Sequence, residues 1–341
     1  MENVVITFRM FEEINRRVSD LRWIYNIDYF PDGIVDTSKV LDFIKSGKKK
    51  IVVLDRNIFD RLLKIATTGR TNQGRIQDVA LLMIWCMING CEVLPYSAIS
   101  EHASVKCDEQ IGQNEYKIFD EIFQRITMEV WFKLAEEKIK YNPIIIQDKL
   151  GVVSPKVKFV KNSIDYLFNY MAMIHLAYVL RTEKNNISRY FSFFKWYYDY
   201  SLVSRYTTAY VSLFLAGYDG FVGPKNIMSK DIDKVLAGCS NQAKDLCYLT
   251  EYSKDRVPTD CEFAFATDDY MLFQIQKLGN GSTTPIRLFE NIITKNKRKV
   301  SKWVTALESS HKTISVRKDQ YESYCEKQIK KEINQLKTTF D

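Results

Sequence analysis

Ile51-Val52-Val53-Leu54-Asp55-Arg56-Asn57-Ile58-Phe59 is the stretch whose reading decides the fold. Four consecutive apolar residues, three of them β-branched, show no in–out alternation. Such a run marks a strand buried on both faces of a parallel sheet. It runs straight into an acid, Asp55, and a helix is expected over 58–67. Outward from it, 91–94 reads as a second strand stopped by Pro95, 262–266 (EFAFA) as a third, and 286–289 as a last short one. Helices are expected over 76–88, over 97–107 with Ser97 as N-cap, and over 113–140 as one long charged amphipathic element. Residues 160–217 are mostly helical, with two more helices at 230–237 and 242–252 and a helical tail from 291. Strands and helices alternate at both ends of the body, while the middle is helical only. The expected fold class is therefore α/β, with a central parallel sheet interrupted by a large helical insertion and followed by a basic helical tail. The segments are an N-terminal extension 1–50, a core 51–107 plus 240–290, an insertion 108–239 and a tail 291–341.

The 341 residues are 46% apolar and 27% charged, the profile of a soluble globular protein. Seven Cys (none in C-x-x-C spacing) and three His argue against a disulfide framework and against thiolate or His-rich zinc sites. Any metal then has to be held by carboxylates. The start, MENVVITFRMFEEINRR, has early acids and lacks the apolar core of a signal peptide. The uncharged stretches 166–180 and 206–218 are 15 and 13 residues long, short of the ~20 that a membrane helix needs. A cytoplasmic protein with no membrane partner is expected.

Charge is uneven. From 295 to 341, 12 Lys/Arg less 6 Asp/Glu leave +6 of the net +7. Lys295, Lys297, Arg298, Lys299 and Lys302 open that window. A run of this kind meets an anionic partner, nucleic acid first, or forms a solvated helix face. Lys48-Lys49-Lys50 precedes the strand whose far end holds Asp55, which puts it at the opposite sheet edge. The aromatics crowded between Tyr190 and Tyr200 read as a buried helical core or as a platform for unpaired bases.

Open parallel sheets bind ligands beyond the carboxyl ends of their strands. Asp55 ends one strand, Glu101 lies early on the helix after Pro95, and Asp268 and Asp269 follow the third strand. Asp245, on the helix before that strand, sits among Ala243, Leu246, Cys247 and Leu249. Carboxylates gathered at one edge repel one another unless a cation compensates. Mg²⁺ or Mn²⁺ is the hard, oxygen-seeking choice, and such ions suit phosphoryl chemistry. Each acid also has a plain structural use. Asp55 or Asn57 caps a helix, Glu101 suits a helix N-terminus, Asp245 pairs with a Lys or Arg, and Asp268-Asp269 fit a turn.

Taken in order, these segments resemble the PIN domain, a metal-dependent ribonuclease superfamily that includes bacterial toxins. The opening 51–59 is similar to the family's apolar strand followed by Asp-x-Asn and a helix. Leu94-Pro95-Tyr96-Ser97-Ala98-Ile99-Ser100-Glu101 resembles its second motif, Asp245-Leu246-Cys247-Tyr248-Leu249 its third, and Phe263-Ala264-Phe265-Ala266-Thr267-Asp268-Asp269 its fourth. The resemblance covers about half the chain and implies a three-layer α/β/α core. It implies Asp55, Glu101, Asp245 and Asp269 as catalytic metal ligands, with Asp268 an adjacent extra acid and Asn57 and Thr267 in accessory positions. By implication the chain is an endoribonuclease using Mg²⁺ or Mn²⁺ on an RNA substrate, of the toxin or antiviral-effector kind, with room for an inhibitory or regulatory protein partner and for a homo-oligomer. The alternatives are a catalytically inactive PIN-like scaffold that binds a protein, and a DNA nuclease of the flap type. The gap between Glu101 and Asp245 departs from compact PIN proteins.

Overall fold

The computed structural model describes residues 5–71, 73–147, 157, 159–251, 258–281, 284–293, 296–310, 314 and 316–340. The chain divides into two compact units. The sheet unit holds Met1–Val160 and Lys254–Asp269, and the helical unit holds Lys161–Ser253 and Tyr270–Asp341.

In the sheet unit, β1 (Ile24–Tyr25), β2 (Lys49–Leu54), β3 (Glu92–Leu94) and β4 (Cys261–Ala266) form one sheet in the order β1-β4-β2-β3. β2 is parallel to both of its neighbours, and β1 closes the far side antiparallel to β4. Ile51 to Leu54 of this inner strand are all buried, so both of its faces are covered, which accounts for the unbroken apolar run. The first 50 residues are not an extension. They supply β1 and two helices, and Asn26 ties them to the sheet by donating to the Phe263 carbonyl at 2.8 Å.

The helices of this unit are α1 (Phe8–Leu21), α2 (Thr37–Lys45), α3 (Arg56–Thr68), α4 (Ile76–Ile88), α5 (Tyr96–Lys106), α6 (Glu109–Arg125) and α7 (Met128–Ala135). Beyond Gln77 and Asp78 in its first turn, α4 is apolar all round, and it packs against α1, α3 and α7. Its Trp85 stacks with Phe43 and donates to Asn15 at 3.0 Å. The expected single helix over 113–140 is two helices, α6 and α7. Ile126 turns to an extended backbone so that it and Trp131 both reach the core. Ser97 does not cap α5. Pro95 occupies the cap position, without a side-chain hydrogen bond, and Ser97 is buried inside the helix.

The helical unit contains α8 (Ile164–Thr182), α9 (Asn186–Tyr200), α10 (Arg205–Ala216), α11 (Ile232–Glu251), α12 (Tyr270–Gly279), α13 (Arg287–Ile292), α14 (Lys297–Ser310) and α15 (Tyr321–Lys337). The expected strand at 286–289 is instead the start of α13, whose Phe289 stacks on Tyr190 at 4.0 Å between ring centroids. The two helices expected at 230–237 and 242–252 are continuous in α11. Gly238 between them is not a break. A Cβ there would fall 1.7 Å from the Lys225 carbonyl oxygen, so glycine lets a loop cross the helix closely.

The aromatic block resolves toward the core, with Tyr190, Phe193, Phe194, Tyr197 and Tyr198 buried. Aromatic faces committed to one another are not free to stack bases. Nor is the basic tail an appendage, because α15 packs on α8. Its Glu332, fully buried, accepts from the Trp196 indole at 2.9 Å and lies 2.8 Å from Nδ1 of His175. Burial pushes His175 below its usual range while Glu332 pulls it back up. Glu332→Ala would leave the buried His175 and the half-buried Trp196 indole without their acceptor, a loss of about 2–5 kcal/mol. Urea unfolding of the intact chain reads this loss directly, and an unchanged midpoint would contradict the assigned network.

Candidate functional site

The parallel register builds the site. Leu54 pairs with Ala266, and the ladder continues as the Asp55 N–H donates to the Ala266 carbonyl at 2.9 Å. Asp55 and Thr267 therefore leave adjacent strands at one level, at the carboxyl edge of the sheet. The Thr267 hydroxyl donates to the Asp55 carboxylate and accepts from the Asp269 N–H at 3.0 Å. The other Asp55 oxygen accepts from the Asn57 N–H at 2.8 Å, so Asp55 is also the N-cap of α3. Asn57 serves through its backbone, and its residue is exposed.

Asp55 is only 5% exposed. Burial raises its carboxyl, the hydrogen bonds from Thr267 and Asn57 lower it, and the charges of Asp268 and Asp269 raise it again, to about 7 in all. Asp268 is paired with Arg61 of α3, whose guanidinium lies over the Trp23 ring at 5.6 Å. Glu101 stands on α5 beyond β3 and is half-buried.

Beside Asp55, Arg56 carries a second network. Its guanidinium grips Glu115 of α6 through two bonds of 2.8 Å, donates to the Ala98 carbonyl at 3.0 Å, and pairs with Asp60. Glu115 also lies 2.7 Å from His102 Nδ1. Burial would lower the Arg56 pKa, but the Glu115 and Asp60 charges outweigh it and hold the group firmly protonated. These contacts join α3, α5 and α6 around the edge where Asp55 stands. Arg56, Arg61 and Glu115 were not expected as part of the site. The available signal was a cation inside the apolar stripe of α3, where Arg61 precedes Leu62 and Leu63.

The candidate acids are thus distributed unevenly. Asp55, Asp268 and Asp269 share one edge through Thr267, and Glu101 belongs to the same unit. Asp245 lies on α11 of the helical unit, where it lines a cleft with Gln242. Lys297, Arg298, Lys299 and Lys302 are exposed on α14, and Lys295 lies outside the described residues. Lys48 pairs with Glu262 at 2.8 Å and Lys49 with Glu92, at the amino end of β2 and away from Asp55. Among the described residues, no three His, Cys, Asp or Glu side chains stand close enough together to hold a metal ion. The donor chemistry still suits a hard cation. All the donors are oxygens, and a buried carboxylate beside two others is the kind of group a divalent ion would keep ionised. No described helix is long and apolar enough to cross a membrane.

Comparison with protein-family models, with curated proteins and with solved structures yields no match for this chain.

Because the folded Asp55 titrates near 7 rather than at the ordinary 3.8, its ionisation opposes folding. The penalty is absent below pH ~4, grows as pH rises, and is complete above pH ~7. Asn keeps the cap without the charge. Asp55→Asn should therefore raise the melting temperature at pH 8, by the equivalent of a few kcal/mol. The difference should vanish near pH 4. Equal melting of the two proteins at pH 8 would rule out the buried, strained carboxylate.

Proposed function

We propose that the chain is a PIN-like, metal-dependent endoribonuclease with a three-layer α/β/α core around its parallel sheet. One observation carries this. Asp55 and the Thr267–Asp269 turn leave two adjacent parallel strands at one level, joined by the Thr267 hydroxyl. Asp55, Glu101 and Asp269 would hold Mg²⁺ or Mn²⁺, which when bound supplies an activated water and charge stabilisation at phosphorus. Thr267 holds Asp55 in place while its oxygen fixes the backbone of Asp269. Arg61 draws Asp268 aside, which leaves Asp269 as the second strand-end ligand. The Arg56–Glu115 grip keeps the α3 and α6 walls rigid around the edge. Lys297, Arg298, Lys299 and Lys302 present four cations to RNA phosphates.

The single test is cleavage of single-stranded RNA, single-stranded DNA and a flap substrate in Mn²⁺, with Asp55→Asn and Asp269→Asn as controls. We expect RNA cleavage by the parent chain and a loss of at least ~100-fold in each variant, with the fold retained. Cleavage that survives both substitutions would refute the assignment.

A second reading, a PIN-like scaffold without catalysis, is favoured by the Arg61–Asp268 pair and by the lack of a gathered acidic trio among the described residues. Mn²⁺ titration by calorimetry separates the two. A scaffold shows no heat attributable to Asp55, whereas the nuclease binds Mn²⁺ in a way that Asp55→Asn abolishes.

Deleting the tail would remove Glu332 from the interior, so RNA contact is better tested by charge. Reversing Lys297, Arg298, Lys299 and Lys302 to Glu should weaken binding of single-stranded RNA and flatten its dependence on salt, by up to about three units of log–log slope. An unaltered slope would clear α14 of that role.

A further inference from the structure

Within the helical unit α14 packs against α9, and a pocket of about 400 Å³ opens between them. Ile187 and Phe191 of α9 form one side, and Val300 and Trp303 of α14 the other. Val300 is fully buried and anchors α14. Trp303 lies outside the buried aromatic block and remains 39% exposed. Phe191 meets it at a right angle, with ring centroids 4.4 Å apart and planes at 85°. That contact holds the indole in one orientation and still leaves part of it open to solvent.

The mouth of this pocket is cationic. Lys297, Arg298, Lys299 and Lys302 are exposed at the start of α14, and Lys299 also lines the pocket. The first acid along the helix is Glu308, which is paired with Arg287. Lys297, Arg298 and Lys299 occupy the first turn, where the peptide dipoles already make the helix end positive. That placement costs stability and favours a bound anion. Lys299 Nζ lies 4.6 Å from the Trp303 ring centroid. An exposed cation–π contact is weak, so the ammonium can swing to a phosphate and leave the ring face to a base. The polar residues on the α9 side are already used. Asn185 and Ser188 form the capping box of α9, and Ser192 donates to Glu183 at 2.8 Å. They do not read the edge of a base, and the chemistry on offer is stacking, which tolerates any sequence.

We propose that this pocket stacks an unpaired RNA base on Trp303 while Lys297, Arg298, Lys299 and Lys302 hold the flanking phosphates, which makes the surface selective for single strands over duplex. The bases of a duplex are already stacked on one another, so only a single strand can offer one. The base site presupposes that α14 faces RNA and requires no hydrolysis. A tryptophan beside lysines also suits an anionic membrane surface. That use needs an apolar helix face free to insert, and α14 spends its apolar face on the interior through Val300 and Val304.

Fluorescence anisotropy on the intact chain in EDTA tests this, with labelled oligouridine, an abasic strand of the same length, and oligouridine paired with oligoadenosine. We expect Trp303→Leu to weaken oligouridine binding on the order of tenfold, with circular dichroism and the salt slope unchanged. The abasic strand and the duplex should bind as before. Trp303→Phe should recover most of the loss. Equal oligouridine binding by Trp303→Leu and the parent, or an equal loss on the abasic strand, would overturn the base site. With the four cations reversed to Glu, a lowered salt slope beside an inert Trp303→Leu refutes the base site alone, whereas an unaltered slope refutes the RNA-facing helix itself. If Trp303→Leu instead loses binding to phosphatidylserine vesicles and keeps oligouridine, Trp303 serves a membrane and the proposal fails.

Discussion

The pairing of β2 with a parallel neighbour on each side is the constraint on which the rest depends. A parallel strand that is also covered on both faces must be apolar on both, and Ile51 to Leu54, all buried, meet that demand. Parallel strands also end on the same side. The register that sets Leu54 opposite Ala266 therefore brings the next residues, Asp55 and Thr267, out together. A slip of one residue would turn the strand's side chains to the opposite face and separate that pair.

Placing a carboxylate there works against stability. Asp55 is buried, caps α3, takes the Thr267 hydroxyl, and still has its carboxyl raised to about 7 by desolvation and by its acidic neighbours. A position serving only as a helix cap would be as well served by Ser or Asn. Retaining an acid where its charge is penalised is the pattern of a group kept for chemistry, and perturbed acids of this kind gather at functional sites. Arg61 answers part of the acidic charge through Asp268, and Arg56 answers Glu115 and Asp60, so the two arginines offset only part of the acidic charge at this edge.

The helical unit follows a different logic. Its aromatics are committed to one another, and its buried polar groups are few and placed. Glu332 bridges His175 and Trp196, and Thr207 donates to Asn169.

The sequence by itself determined the central strand, the helix after it, the apolar helix over 76–88, and the acids at the strand ends. Those signals are local: an unbroken apolar run, an acid at its end, a helical length. It also located the net charge on the last 47 residues. Only the tertiary structure decided that residues 1–50 complete the sheet through β1, a two-residue strand too short for any periodicity to reveal. It decided that Gly238 sits inside a continuous helix, since a glycine needed for close approach reads in sequence like one needed for a turn. It decided that Asp245 belongs to the helical unit while Asp55 and Asp269 share the sheet edge. It also decided that the tail is part of the interior through Glu332. Each of these rests on contacts between residues far apart in the chain, and neither spacing nor composition carries them.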